Sequence, residues 1–144
     1  MVLIRTAQTS DMIEKCSSIV PEIQLTDKYK TRISDKSVSN FIAETDHQIA
    51  GFMIGYDAED GYFYNYLFDV VPSFRNQGVG QHLVDHVEQW ARINHYKGIR
   101  VQSRNKYPNM LRLLIKNNDK ITAYIDRGHI DNTPIRFEKR WDEQ

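Results

Sequence analysis

The chain has 144 residues, 40% hydrophobic and 26% charged, which suits one domain over residues 1–144 with one core. Lysine and arginine balance aspartate and glutamate at 19 each, which argues against a broad basic face for nucleic acid or a membrane surface. The single cysteine, Cys16, excludes an internal disulfide and a thiolate zinc cluster and suits a reducing, cytoplasmic setting.

No apolar run approaches the ~20 residues needed to cross a bilayer. The opening MVLIRTAQTSD has no apolar segment behind basic residues, so no secretory signal is predicted. Leu3 and Ile4 begin a short strand. Ser10 or Asp11 can cap a helix carrying Met12, Ile13, Cys16, Ile19 and Val20, which Pro21 closes. Residues 22–37 are polar and lysine-rich and predict a second short helix or a loop. Residues 41–45 and 48–56 read as a hairpin turning at Asp46-His47. Residues 62–71, rich in aromatic and β-branched side chains, predict a long central strand ended by Pro72. Val79, Leu83, Val84, Val87 and Ala91 repeat at helical spacing over 80–94, with Gln81, Asp85, Glu88 and Arg92 facing the other way. A strand follows over 99–103. A short helix over 108–117 has Asn118 at its left-handed cap, and strands over 121–125 and 135–140 complete the chain.

The run Arg75-Asn76-Gln77-Gly78-Val79-Gly80 lies between the central strand and the amphipathic helix. Glycine costs roughly 1 kcal/mol against alanine within a helix. The first amides of a helix lack carbonyl partners and sit at the positive end of its dipole. Glycines let a bulky anion approach them, so this corner reads either as a phosphate cradle, to which Arg75 adds forked cationic donors, or as a tight strand-to-helix turn in which glycine merely fits. Leu83 stands where a dinucleotide fingerprint needs its third glycine, and Gln81-His82 stands where a P-loop needs Lys-Ser or Lys-Thr.

What remains is R-x-x-G-x-G after a strand ending Val70-Val71-Pro72. Here the chain resembles the GNAT superfamily of N-acetyltransferases, whose signature is Q/R-x-x-G-x-G/A. The element order and the stretch SRNKYPNMLRLLIKNND from Ser103 extend the likeness over essentially the whole chain, with Asn118-Asp119 where Gly-Phe is common. The resemblance implies an α/β fold: a mixed, mostly antiparallel twisted sheet of six to seven strands flanked by about four helices. It implies acetyl transfer from acetyl-CoA to a primary amine, without a metal. A non-catalytic coenzyme A-binding module is the alternative, and a nucleotide-binding fold of another kind a weaker one. It implies an amine acceptor as partner, no nucleic acid or membrane, and allows a homodimer.

The same resemblance assigns the coenzyme A diphosphate to the backbone of Gln77, Gly78, Val79, Gly80 and Gln81, with Arg75 and Asn76 alongside. The pantetheine arm would run along the fourth strand at Val70 and Val71, through a slot opened by a bulge, with Asn105 near the cofactor. The amide of Phe68 would face the thioester carbonyl. Tyr64 takes the place where some members carry a glutamate base, and Asp69 and Glu44 are the carboxylate alternatives. Leu114 falls where many members carry a tyrosine acid, which leaves Tyr107 and Tyr124 as candidates. Setting Tyr124 and Gly128-His129 in that register leaves too little chain for the last strands.

Other features have plainer readings. His82 and His86 lie one helical turn apart, with Asp85 between, and read as a solvated face rather than metal ligands. Of Tyr62, Phe63, Tyr64, Tyr66 and Phe68, half should pack in the core and half could line an acceptor pocket. Arg100, Arg104, Lys106, Arg112 and Lys116 form a basic stretch that reads mainly as a solvated face, with the adenosine 3′-phosphate of coenzyme A or an acidic acceptor as the alternative partner.

Overall fold

The computed structural model describes residues 1–8 and 31–141; the helix expected over 12–20 and most of the segment 22–37 lie outside them. The strands are β1 (Leu3–Ala7), β2 (Val38–Thr45), β3 (Gln48–Asp57), β4 (Tyr62–Val70), β5 (Gly98–Arg104), β6 (Lys120–Tyr124) and β7 (Pro134–Arg140). The helices α1 (Val79–Ile93) and α2 (Pro108–Lys116) join them, and residues 31–33 are also helical. All seven strands form one sheet in the order β1-β2-β3-β4-β5-β7-β6. Every pairing is antiparallel except β4 with β5, which is parallel and needs the crossover that α1 supplies. This is the mixed, mostly antiparallel α/β architecture expected from the sequence.

Local chemistry explains the joints. Asp46 and His47 both take positive φ, 50° and 63°, which folds β3 back on β2 with a turn whose twist matches the strands. Asn118 takes φ 68° after α2. Its N–H donates to the Ile115 carbonyl at 3.1 Å, and the Asp119 N–H donates to the Leu114 carbonyl at 3.0 Å. Those two bonds form a Schellman stop, with asparagine doing what glycine more often does.

The core lies mainly under α1. Val79, Leu83, Val84, Val87 and Ala91 are buried against Phe41, Met53 and Phe63, and the Phe63 ring meets Trp90 edge-on at 4.9 Å. Burying each Val or Leu contributes about 1.5–3 kcal/mol. α2 covers Val101, Ile135 and Phe137 with Leu114. On the opposite face Ile33 packs on Ile42, Phe52 and Ile54. One expectation fails: Glu88 does not face solvent with Gln81 and Asp85. It is mostly buried and ion-paired to Lys139 of β7 at 2.6 Å, because α1 lies close enough to the sheet to enclose its flank. No helix among the described residues is long and apolar enough to cross a membrane.

Candidate active site

A bulge opens the sheet. Ile54 pairs with Leu67 and Gly55 with Asn65, so Tyr66 is an extra residue in β4. Gly55 permits this packing: a Cβ there would lie 2.4 Å from the Phe63 ring. The parallel ladder between β4 and β5 runs from Tyr62↔Gly98 to Asn65↔Val101 and stops. Residues 67–70 continue paired with β3 alone. Beside the opening lies a cleft walled by Asn65, Phe68, Val101, Met110 and Leu114, whose polar end holds Glu88, Asn117, Asp119 and Lys139.

The end of β4 fixes which main-chain groups face this opening. The Val71 N–H donates to the Ala50 carbonyl at 2.7 Å, on the β3 side. Alternation along an antiparallel strand then turns the N–H groups of Val70 and Phe68 away from β3. The Val70 N–H is taken by the Asp69 carboxylate at 2.8 Å, and the Val70 carbonyl accepts Arg75 Nε at 3.0 Å. Arg75 also reaches Asp69 Oδ1 at 3.3 Å, so it braces the strand end to the turn and shares its charge with a carboxylate.

The glycine turn follows. Asn76 and Gly78 take φ 63° and 84°, and Gly78 caps α1 with its carbonyl accepting the His82 N–H at 3.0 Å. His82 Nδ1 reaches the same carbonyl at 2.7 Å, and His86 rests edge-on against Phe41, 5.8 Å between ring centroids. Among the described residues the N–H groups of 76–81 donate to nothing, and residues 75–78 are exposed. At Gly80 a Cβ would meet Leu113 Cδ2 at 3.3 Å and Phe68 and Val70 at 3.7 Å, so glycine lets the start of α1 sit close against α2 and the end of β4.

The remaining candidates are dispersed. Tyr64 is half-buried on the face opposite α1, stacked on Tyr56 at 5.2 Å and tilted against Tyr66 at 6.4 Å. Burial pushes its phenol above the ordinary range, Tyr56 adds to this, and Arg32 and Arg136 oppose it. Glu44 sits on β2, two strands from the opening, ion-paired to Arg5. Asn105 Nδ2 donates to the Ile130 carbonyl at 3.2 Å. Tyr107 precedes α2 with Lys106 over its ring at 5.1 Å, and Tyr124 lies on the outermost strand; both are about half exposed. Leu114 is buried in the cleft wall.

Three residues of the site were not read from the sequence. Asn65 is 8% exposed, lines the cleft, and its Oδ1 has no hydrogen-bond partner. A polar side chain in core phase within an aromatic strand was the available signal. Asp119 is 7% exposed with Asn117 Nδ2 donating to it at 3.2 Å. Burial raises its carboxyl to about 6; Asn117 and Lys139 oppose the rise, and Glu88 adds to it. Arg136 lies on β7, paired with β5 opposite Gln102, and its charge opposes the rise of the Tyr64 phenol, a relation that only the strand order reveals. No group of three or more His, Cys, Asp or Glu side chains suited to a metal occurs among the described residues.

The model of the acetyltransferase (GNAT) family matches residues 6–114, three quarters of the chain, including the cleft-forming strands, the glycine turn and most of α2. The chain belongs to the GNAT acetyltransferase family. It is therefore an acyltransferase by descent. Comparison with curated proteins gives no match by sequence. Among solved structures, an IAA acetyltransferase from Bacillus cereus superposes with a TM-score of 0.82 at 14% identity, covering 97% of this chain and 99% of that one. The ribosomal-protein-S18-alanine N-acetyltransferase of Escherichia coli gives 0.81 at 15% identity, covering 97% and 94%. A GNAT family acetyltransferase from Elizabethkingia anophelis with acetyl-CoA bound gives 0.74 at 20%, covering 96% and 97%. These likenesses carry the GNAT fold through β6 and β7, beyond the family-model match.

Proposed function

We propose that this GNAT member is an acetyl-CoA-dependent N-acetyltransferase that passes the acetyl group to a primary amine of a small molecule, peptide or protein. The observation that carries the reading is the exposed glycine corner, where the N–H groups of 76–81 have no acceptor of their own. At a helix start they point along the positive dipole end, which suits a diphosphate. Acetyl-CoA bound there would run its pantetheine arm down the opening beyond the Asn65–Val101 pair. Asn65 Oδ1 would accept from an amide N–H of that arm. The Phe68 N–H would donate to the thioester oxygen as the amine attacks, a contribution of about 3 kcal/mol per donor.

The acceptor amine enters from the Tyr64 side and must be neutral before it attacks. Tyr64, acting through water, and Asp69, which already accepts from the Val70 N–H and Arg75, are the candidates for its proton; Glu44 is two strands from the opening and held by Arg5. As the carbon–sulfur bond breaks, the thiolate needs a proton, from Tyr107, Tyr124 or solvent.

Leu114 in the cleft wall supports a second reading, a coenzyme A-binding module without turnover. Release of coenzyme A thiol, measured against an amine and peptide panel, separates the two. Amine-dependent release that rises with pH supports the enzyme. Tight coenzyme A binding with no release from any amine supports the module. Failure of acetyl-CoA to stabilise the protein removes both.

A further inference from the structure

The sheet face opposite α1 brings guanidinium groups beside a cluster of tyrosines. Tyr56, Tyr64 and Tyr66 form one aromatic patch on the face opposite α1. Arg32 lies over the Tyr66 ring at 4.9 Å. Arg136 lies on β7, one strand beyond β5 and in register with Gln102, and its charge, with that of Arg32, acts on the Tyr64 phenol. Four nearby cation–carboxylate contacts are already made among the described residues. Glu138 accepts Arg100 at 2.9 Å and Arg140 at 2.7 Å, Asp60 holds Arg100, and Asp69 holds Arg75. Neither Arg32 nor Arg136 has a carboxylate partner among the described residues.

Two guanidinium groups without a carboxylate partner among the described residues, beside neutral phenols, make a poor site for a polycation. Like charge at this range disfavours it before any contact is made. The same groups suit a carboxylate, which guanidinium binds through paired N–H donors. They also ease the chemistry, because a net positive surrounding favours the neutral form of a bound amine. That assistance matters in a site whose β4 carries a tyrosine where a carboxylate base could stand.

On the acyl-transfer reading, we infer that the acceptor is a small amine bearing a carboxylate, an amino acid or short peptide with a free C-terminus, docked on Arg32 and Arg136 beside the tyrosine patch. The inference separates this protein from acetyltransferases of polyamines or polycationic antibiotics.

The test uses product binding, so it does not depend on turnover. The full chain is saturated with coenzyme A and titrated calorimetrically with N-acetyl amino acids, N-acetyl dipeptides with free C-termini, the amidated form of each, and N-acetylspermidine. At least one free-carboxylate product should bind tenfold or more tightly than its amide, and N-acetylspermidine should bind weakest. Arg32→Gln combined with Arg136→Gln should bring the carboxylate-to-amide ratio towards one with coenzyme A affinity unchanged. Arg136→Lys alone should keep most of the preference. Equal binding of acids and amides, preference for N-acetylspermidine, a ratio unmoved by the double variant, or no carboxylate binding to coenzyme A-loaded protein would each overturn the inference. If wild-type protein fails to bind coenzyme A, the acyl-transfer reading itself has failed and the inference falls with it.

Discussion

Asn65 is the last residue of β4 to pair with β5, opposite Val101, and it is also the residue across from Gly55 where the β3–β4 register slips. One step of the chain therefore sets both the bulge and the parting of the two strands. The opening is a consequence of where the ladder ends, and its walls come from the residues that follow.

Gly55 holds that step. A methyl group there would lie 2.4 Å from two carbons of the Phe63 ring and 2.8 Å from the Tyr64 carbonyl. Phe63 is fully buried between α1 and the sheet and cannot swing aside without opening the core. Gly55→Ala should cost about 1–3 kcal/mol by overpacking and weaken acetyl-CoA binding as the bulge shifts. Chemical denaturation and a binding titration on the same sample check this. A stable variant with unchanged affinity would show that the bulge tolerates the shift.

Asp119 gives a pH signature. Its carboxyl holds a proton up to about 6 in the folded chain, against about 3.9 when unfolded. Between those values the folded state binds more protons, so stability from this group falls as pH rises from about 4 to about 6 and is level above. Asp119→Asn keeps the acceptor for Asn117 and removes the buried charge. Above pH 6 it should be more stable than wild type by roughly 1–3 kcal/mol, with the gap closing below pH 4. Melting temperatures measured from pH 4 to 8 check the trend, and a gap independent of pH would contradict it.

Arg75 joins the Val70 carbonyl and the Asp69 carboxylate through a fork that an ammonium does not reproduce. Arg75→Ala should leave stability within about 1 kcal/mol, since the group is exposed. It should reduce acetyl-CoA affinity about tenfold by freeing the turn. Arg75→Lys should recover little of the loss. Near-complete recovery by lysine would mean that charge, and not bracing, is the contribution.

The strands and helices were legible because each carries a local signal: the alternation in β4, the helical spacing in α1, the Asp46-His47 turn and the Asn118 stop. The glycine corner was legible for the same reason, as six adjacent residues define it. What could not be read depends on contacts between distant segments. Glu88 appears solvated on a helical wheel, and only the placement of β7 beside α1 encloses it with Lys139. The basic stretch from Arg100 to Lys116 reads as one patch but divides. Arg100 turns to Tyr62 and Glu138 on the sheet and to Asp60 in the turn before β4, while Arg112 and Lys116 lie on α2. The aromatic residues of β4 do not divide by simple alternation: Phe63 and Phe68 both face α1 because Tyr66 is the extra residue of the bulge, and Tyr64 and Tyr66 take the other face.

The central claim is that the main-chain nitrogens of residues 76–81 grip a diphosphate. Calorimetric titration of acetyl-CoA into wild type and Gly80→Glu, each checked for native circular dichroism, tests it most directly. Gly80→Glu would place a carboxylate beside Leu113 and over the corner, against both the space and the charge a diphosphate needs. The expected result is saturable binding to wild type, with about 2.7 kcal/mol of added stability at 100 times the dissociation constant, and at least a hundredfold weaker binding to a folded Gly80→Glu. Equal affinity in the two proteins, or no binding to wild type, would contradict it.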